Sequence, residues 1–343
     1  MKNILLSGSD PGGFQTIIPL IDPLRQEGHS ISLIVGGAAV KICADKSLEF
    51  IDGDKLTPEE LREKVAAIKP DIFISGTSGG YAIDKKILPI IKELGAPSLY
   101  VLDFWSNYWQ RFSSEKGKDF AFLPDTICVL DQYCKDEMVK EGFAAEIIKI
   151  TGNPHFDHFA DAITTTSEET NTVLFVSQPI REQNEKKTSI IYPFDEYVAL
   201  QDLVDAVAAF PDVRISVRLH PRENVGKFDE LMSKHPSQIS LSKESSLEAA
   251  LSKASCIVGM FSPVLLQAKL ASKSVLSYQP GGAATDPLIT NKLGITKLVD
   301  SKESLVQSMA ELHKNDFQDA SKEAFSWPKD ATKRVIEVID FLI

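Results

Sequence analysis

The chain has 343 residues, with 37 Lys+Arg against 48 Asp+Glu and a formal net charge of −11 at pH 7. At roughly 100–200 residues per domain, that length points to two domains. A composition of 43% hydrophobic and 25% charged residues excludes a collagen-like or wholly disordered chain. The acidic balance argues against nucleic acid as a partner, because proteins that bind a phosphate backbone concentrate Lys and Arg; a local basic pocket for one small anion is still allowed.

The opening run Met1–Ser7 is strand-length and too short for a signal-peptide core. No window reaches the 18 or more apolar residues of a membrane span. Cys43, Cys128, Cys134 and Cys256 are scattered without a CxxC pair. Reduced thiols in a cytoplasmic protein fit this better than a disulfide framework or a zinc ribbon.

Taken in chain order, the pattern predicts a strand over Lys2–Ser7, a glycine-rich turn over Gly8–Gly13, a helix from about Phe14 to Gly28, and a strand over Ser30–Val35. Further strands are predicted at Ile72–Ser75, Ser98–Leu102, Thr126–Leu130 and Ile147–Thr151, with a helix over Asp84–Glu93. The polar, poorly periodic Thr164–Asn171 is the candidate linker. The rhythm restarts with strands at Thr172–Ser177, Arg214–Leu219, Cys256–Val258, Ser274–Ser277 and Lys297–Val299. Helices are predicted over Glu196–Ala209, Leu247–Lys253, Val264–Leu270, Lys302–His313 and Asp330–Leu342. Near-continuous apolar strands separated by helix-length segments predict parallel sheets covered on both faces. The expected fold is α/β: two Rossmann-like parallel-sheet domains facing a central cleft. They would span 1–165 and 166–329, with a terminal helix in 330–343 free to cross back to the first.

Ligands of open parallel sheets bind outside the carboxyl ends of the strands, so the turns there carry the functional reading. Gly12 and Gly13 follow the first strand, and Gly76–Gly80 the Ile72–Ser75 strand. Both read either as tight turns or as places where backbone amides approach an anion or a sugar. The spacing is not the GxGxxG of a dinucleotide fingerprint. The aromatic-rich segment after Leu102 carries Asp103, Trp105, Asn107 and Arg111. It reads either as a sugar or base platform or as a hydrophobic plug under a long loop. Asp103 is the first candidate general base and Asp131 the second, although Asp131 could equally cap the following helix.

In the second half, Arg218-Leu219-His220-Pro221-Arg222-Glu223-Asn224 closes a strand. Pro221 stops the ladder, so His220 is expected at the sheet edge. Arg222 beside it suits a phosphate, since guanidinium forks match phosphate oxygens. Gly259-Met260-Phe261-Ser262-Pro263 opens a helix, with Ser262 expected at the N-cap and Pro263 at the first helical position; the same geometry would aim amides and a hydroxyl at a phosphate. Gly281 and Gly282 would form the far wall of that pocket. His155-Phe156-Asp157-His158 invites a metal, but its spacing lacks a further ligand, so no metal is expected.

With a Gly-Asn-Pro turn near the junction, a His-Pro strand end and a Gly-x-x-Ser helix start, the chain resembles the GT-B superfamily along essentially its whole length. That superfamily includes nucleotide-sugar glycosyltransferases and non-hydrolysing UDP-N-acetylglucosamine 2-epimerases. His220-Pro221-Arg222-Glu223-Asn224 and Thr151-Gly152-Asn153 are similar to epimerase motifs. The epimerases' acidic Gly-Gly-x-x-Glu-Glu segment is replaced here by Ser262–Gln267, which lacks an acid. His220-Pro221 also matches the His-Pro motif of bacterial sialyl-, polysialyl- and CDP-glycerol-type transferases, and Ser262-Pro263 half of their Ser-Ser/Thr motif.

The resemblance implies an enzyme moving a sugar or polyol phosphate from a UDP-, CMP- or CDP-linked donor to a cell-envelope glycan or related acceptor, with no cofactor beyond that substrate. The alternatives are a UDP-N-acetylglucosamine 2-epimerase-like activity and a non-catalytic nucleotide-sugar-binding protein. Donor phosphate would be held by His220 and Ser262, with Arg222, Gly259, Gly281 and Gly282 added from charge and position. The acceptor or sugar would meet Gly12, Gly13, Trp105, Asn107 and Arg111. A homodimer is compatible with all of this.

Overall fold

A computed structural model describes residues 1–157, 171–186, 191–315, 317 and 329–343. The chain divides into two compact units, Met1–His158 with Trp327–Ile343, and Phe159–Ser326. The predicted linker up to Thr170 lies outside the described residues.

The N-terminal unit holds seven strands: β1 Asn3–Gly8, β2 Ser30–Val35, β3 Ile51–Asp52, β4 Ile72–Gly76, β5 Ser98–Val101, β6 Thr126–Val129 and β7 Ile148–Ile150. They are ordered β3-β2-β1-β4-β5-β6-β7, and every pairing is parallel. Ile4, Leu6, Ile72, Ile74, Leu99 and Val101 on one face are fully buried against Phe14, Ile17 and Leu24. The terminal helix Ala331–Leu342 adds Val335, Ile336 and Ile339 to this same core. Its start is fastened by Thr332 N donating to Asp157 Oδ2 at 2.8 Å, and Arg334 Nε donates to Thr151 O at 2.8 Å.

The second unit repeats the grammar with β8 Thr172–Val176, β9 Arg214–Arg218, β10 Ile239–Leu241, β11 Cys256–Gly259, β12 Ser274–Tyr278 and β13 Lys297–Val299. The order is β10-β9-β8-β11-β12-β13, again all parallel. One face carries Val173, Phe175, Ile215 and Val217 against Leu200, Leu203 and Val204 of the helix Glu196–Val207. The other carries Leu174, Val176, Ile257 and Val275 against Leu251 and Leu265. Burial of strands on both faces explains why they read as continuous apolar runs.

Two differences from the sequence reading have simple causes. The first helix is divided into Pro11–Ile17, a 3₁₀ turn Ile18–Leu20 and Ile21–Gln26; Pro19 and Pro23 each lack the N–H that a continuous helix needs. The helices Gly37–Asp45 and Pro58–Ile68, and the short edge strands β3 and β10, were not anticipated. All four cysteines are buried and none of them is in a disulfide. Burial pushes the Cys43 thiol up to about 11 and that of Cys128 up to about 12, so these groups stay protonated and inert.

Each sheet reverses its strand order once, between β1 and β4 and between β8 and β11. At the first reversal the backbones touch. A Cβ on Gly13 would lie 2.0 Å from Thr77 O, and one on Gly76 would lie 1.9 Å from Gly13 O. The helix start therefore packs on the β4 exit only because neither residue has a side chain. At the start of the helix Ile83–Leu94 the Asp84 side chain is fully buried. Burial pushes its pKa from 3.8 up to about 6, with Ser78 and Lys85 opposing.

Two expectations follow. Gly13→Ala costs about 1–3 kcal/mol of overpacking and lowers Tm by several degrees. In the same measurement Gly79→Ala, whose Cβ would meet nothing nearer than Asp10 Oδ2 at 3.5 Å, leaves Tm unchanged. For Asp84, the unfolded chain releases the proton near 3.8 and the folded chain only near 6. The folded form thus binds more protons in that window, and its stability falls as pH rises through it. Urea unfolding should find Asp84→Asn about 3 kcal/mol more stable than wild type near neutral pH, and the two equal at about pH 4.

Candidate functional site

In the N-terminal unit the carboxyl edge gathers a set of polar side chains around Asp103, the second residue past β5. Arg111 Nη1 donates to Asp103 Oδ1 at 2.5 Å and to Thr77 Oγ1 at 2.7 Å, and Thr77 Oγ1 donates to Asp103 Oδ1 at 3.1 Å. Arg111 Nε is anchored on Ser106 O at 2.9 Å. The other oxygen, Oδ2, lies over Gly12, where a Cβ would come within 2.4 Å of it. A glycine at 12 therefore lets a carboxylate sit against the start of the helix Pro11–Ile17. Behind Asp103, Asn153 of the Gly-Asn-Pro turn donates to its backbone carbonyl at 3.2 Å. Gly12, Gly13, Asp103 and Arg111 are thus brought together, with Thr77 and Asn153 as partners that sequence reading did not assign.

The other first-half candidates lie differently. Asp131 caps the helix Gln132–Lys140, its Oδ1 accepting from Cys134 N at 2.7 Å and its Oδ2 from Trp105 Nε1 at 2.8 Å. Both oxygens are engaged, which matches the capping alternative. Trp105 is only 4% exposed and Tyr108 and Phe112 are also buried, so this part of the segment is packed as a plug. Asn107 is exposed and adopts a left-handed conformation (φ 56°) leading into the helix Tyr108–Phe112.

Lys85 was also missed. It is buried, and its ammonium donates to Gly80 O at 2.6 Å; burial lowers its pKa while the Asp84 and Asp10 charges oppose that shift. Asp10 accepts from Gly79 N at 2.7 Å, closing the glycine turn. Among the described residues, the grouping able to hold a metal is Glu27, His29 and Asp340. Glu27 and His29 precede β2 and Asp340 lies on the helix Ala331–Leu342, away from the carboxyl edge.

In the C-terminal unit His220 stands two residues past β9 and Ser262 three past β11, with β8 between the two strands. Both follow the carboxyl ends of strands that are two spacings, roughly 9–10 Å, apart. His220 Nδ1 accepts from Arg222 N at 3.2 Å. Burial lowers the imidazole pKa, the Arg222 charge adds to that, and Glu223 opposes it. A neutral ring whose Nδ1 accepts must carry its proton on Nε2, so Nε2–H is the donor. The Arg222 side chain is exposed beside it.

Ser262 departs from its expected place. Pro263, not Ser262, is the N-cap, at φ −55° and ψ −22°, and the helix starts at Val264. Ser262 Oγ accepts from Val264 N at 3.2 Å, Leu265 N bonds to Ser262 O at 3.0 Å, and Phe261 N donates to Gln178 Oε1 at 3.0 Å. The amides of Phe261, Val264 and Leu265 are therefore already bonded, and Ser262 itself is only 6% exposed. Gly259 packs on Leu265, and Gly282 packs on Phe194, where a Cβ would come within 2.5 Å of the ring. Gly281 turns at φ +68° with its N–H on Asp300 O at 2.8 Å. These glycines shape the wall through packing. Beside them, buried Gln279 donates to Met260 O, Ser277 Oγ and Asp286 Oδ1, joining the ends of β11 and β12.

No protein-family model and no curated protein matches the chain. Solved structures do. The UDP-GlcNAc 2-epimerase of Methanocaldococcus jannaschii superposes with a TM-score of 0.71 at 16% identity, over 99% of this chain and 100% of that one. The UDP-GlcNAc 2-epimerase of Neisseria meningitidis, bound to UDP-GlcNAc, gives 0.73 at 14% identity over 99% and 100%. MurG of Acinetobacter baumannii gives 0.63 at 15% identity over 99% and 100%. Identities this low speak to architecture alone. The chain has the GT-B fold, built from two parallel-sheet α/β domains of seven and six strands.

Proposed function

We propose that the chain acts on a nucleotide-activated sugar in the manner of a 2-epimerase, with the carboxyl edge of the C-terminal unit taking the diphosphate. The observation that carries the reading is the carboxyl edge of the C-terminal unit, where the His220 ring, its Nδ1 held by the Arg222 amide, presents Nε2–H as a donor suited to an anion. The solved epimerases with this fold support it, with TM-scores of 0.71 and 0.73 against 0.63 for MurG. The leading activity thus shifts from the transferase expected from sequence to its epimerase alternative.

The chemistry constrains the roles. The sugar C2–H has no neighbouring carbonyl to acidify it, so removing that proton must be coupled to loss of the diphosphate from C1. A base takes the C2 proton, the C–H electrons form the C1–C2 double bond, and the C1–O electrons leave with the diphosphate. Return of a proton to the other face of C2 and of the diphosphate to C1 completes the inversion. Asp103 is the residue assigned to take the C2 proton on one face, and the proton returned to the opposite face is drawn from solvent water. His220 Nε2–H and the Ser262 hydroxyl stabilise the charge gathering on the leaving diphosphate, with Arg222 as a neighbouring cation. The phosphate-side contribution of Gly259, Gly281 and Gly282 is confined to the shape of the wall.

The second reading is glycosyl transfer. His220-Pro221 and the half-matched Ser262-Pro263 favour it, and it uses the same groups on the departing diphosphate but requires an acceptor. Incubation with UDP-N-acetylglucosamine in D₂O, followed by proton NMR, separates the two. Epimerisation yields a second sugar isomer and deuterium at C2 with no acceptor present; turnover only after a glycan is added selects the transferase. Asp103→Asn should lower turnover by about 10²–10⁴-fold while UDP binding is retained. An unchanged rate removes Asp103 from the mechanism, and absence of any nucleotide binding by the wild type removes the whole reading.

A further inference from the structure

Glu223 lies in the turn after β9 with its side chain fully buried, and three donors converge on it. Ser177 Oγ, one residue past β8, donates to Oε1 at 2.9 Å; Lys227 Nζ donates to Oε1 at 2.8 Å; His220 N donates to Oε2 at 2.7 Å. The turn also closes on itself, with Glu223 N on His220 O at 2.8 Å and Arg222 N on His220 Nδ1 at 3.2 Å.

Lys227 is the hub behind this turn. Its side chain is 4% exposed and pairs with Glu223, with fully buried Glu196, and with Glu182 at 3.2 Å. Glu196 in turn accepts from Ile180 N at 2.9 Å and Arg181 N at 3.0 Å. Burial works against the ammonium, but hydrogen bonds and charge from Glu196 and Glu223 outweigh it and hold the pKa above the ordinary lysine value. Burying two carboxylates and one ammonium is costly, and apolar residues of similar volume are often as stable or more so. What the network does supply is a fixed geometry. It ties together the β8 exit, the β9 exit and the starts of the helices Ile180–Glu185 and Glu196–Val207.

We propose that Glu223, with Lys227 as its counter-ion, is the positioning residue of His220: it holds the turn in which Arg222 N reaches Nδ1, so that Nε2–H is the donor presented to the diphosphate. The ligand half of this inference rests on the proposed function. The tautomer half does not.

The test uses the full chain. Long-range ¹H–¹⁵N spectra, with His220 assigned by its loss in His220→Gln, read the ring tautomer at neutral pH, and calorimetry reads UDP affinity. The wild type should show an unprotonated Nδ1 and a protonated Nε2. Glu223→Gln should mix the two tautomers and weaken UDP by about tenfold, the value of one oriented hydrogen bond. A folded Glu223→Gln protein with unchanged ring signals and unchanged affinity overturns the proposal. Should that variant fail to fold, Ser177→Ala removes one of the three donors without stranding a charge. It should shift the ring signals and the affinity in the same direction, and no shift overturns the proposal equally. If the wild type binds no UDP yet Glu223→Gln still mixes the tautomers, the positioning role stands and the nucleotide-sugar reading fails.

Discussion

The polar architecture of this molecule depends on how a parallel sheet ends. Side chains leaving the carboxyl edge have lost the ladder that satisfied their neighbours, and at the two strand-order reversals the adjoining connections diverge to opposite faces. Backbone and side-chain polar groups that emerge there must be satisfied by one another or by a ligand. The two units answer this constraint with different side chains. One gathers Asp10, Asp103 and Arg111 around glycine turns; the other gathers imidazole, hydroxyl and guanidinium above a buried acid–lysine network.

Preorganisation is common to both. Asp103 is gripped through its carboxylate by Arg111 and Thr77 and through its backbone by Asn153. His220 is gripped through its backbone by Glu223 and through its ring by the Arg222 amide. Groups fixed in this way need little reorganisation when charge develops beside them, which is the main electrostatic advantage a protein has over water. It also explains why buried charge is tolerated here in spite of its cost.

The longer strands and about half of the helices could be read directly from sequence, the strands because burial on both faces makes their apolar runs continuous. Edge strands of two or three residues, such as Ile51–Asp52, carry too little pattern to register. His220 and Asp103 were visible because each lies just past the end of a legible strand, and Arg111 because it lies eight residues from Asp103. Their other partners were not. Thr77 reaches Asp103 across 26 positions, Asn153 across 50, and Ser177 reaches Glu223 across 46. Contacts of that kind are set by strand order, which no local periodicity encodes. The same ignorance made Trp105 read equally as platform or plug, and left Asp84, a polar residue at a helix start, without any sign that it is buried.

The terminal helix has a consequence for how the chain acquires this structure. Val335, Ile336 and Ile339 complete a core whose other members begin at Ile4, so the first unit to be synthesised is the last to be finished. On the ribosome the N-terminal sheet must wait, one apolar face incompletely covered, while the whole of Phe159–Ser326 is made. The intervening unit is under no such delay. Within these residues, Phe159–Ser326 can therefore mature before the sheet that precedes it is fully covered.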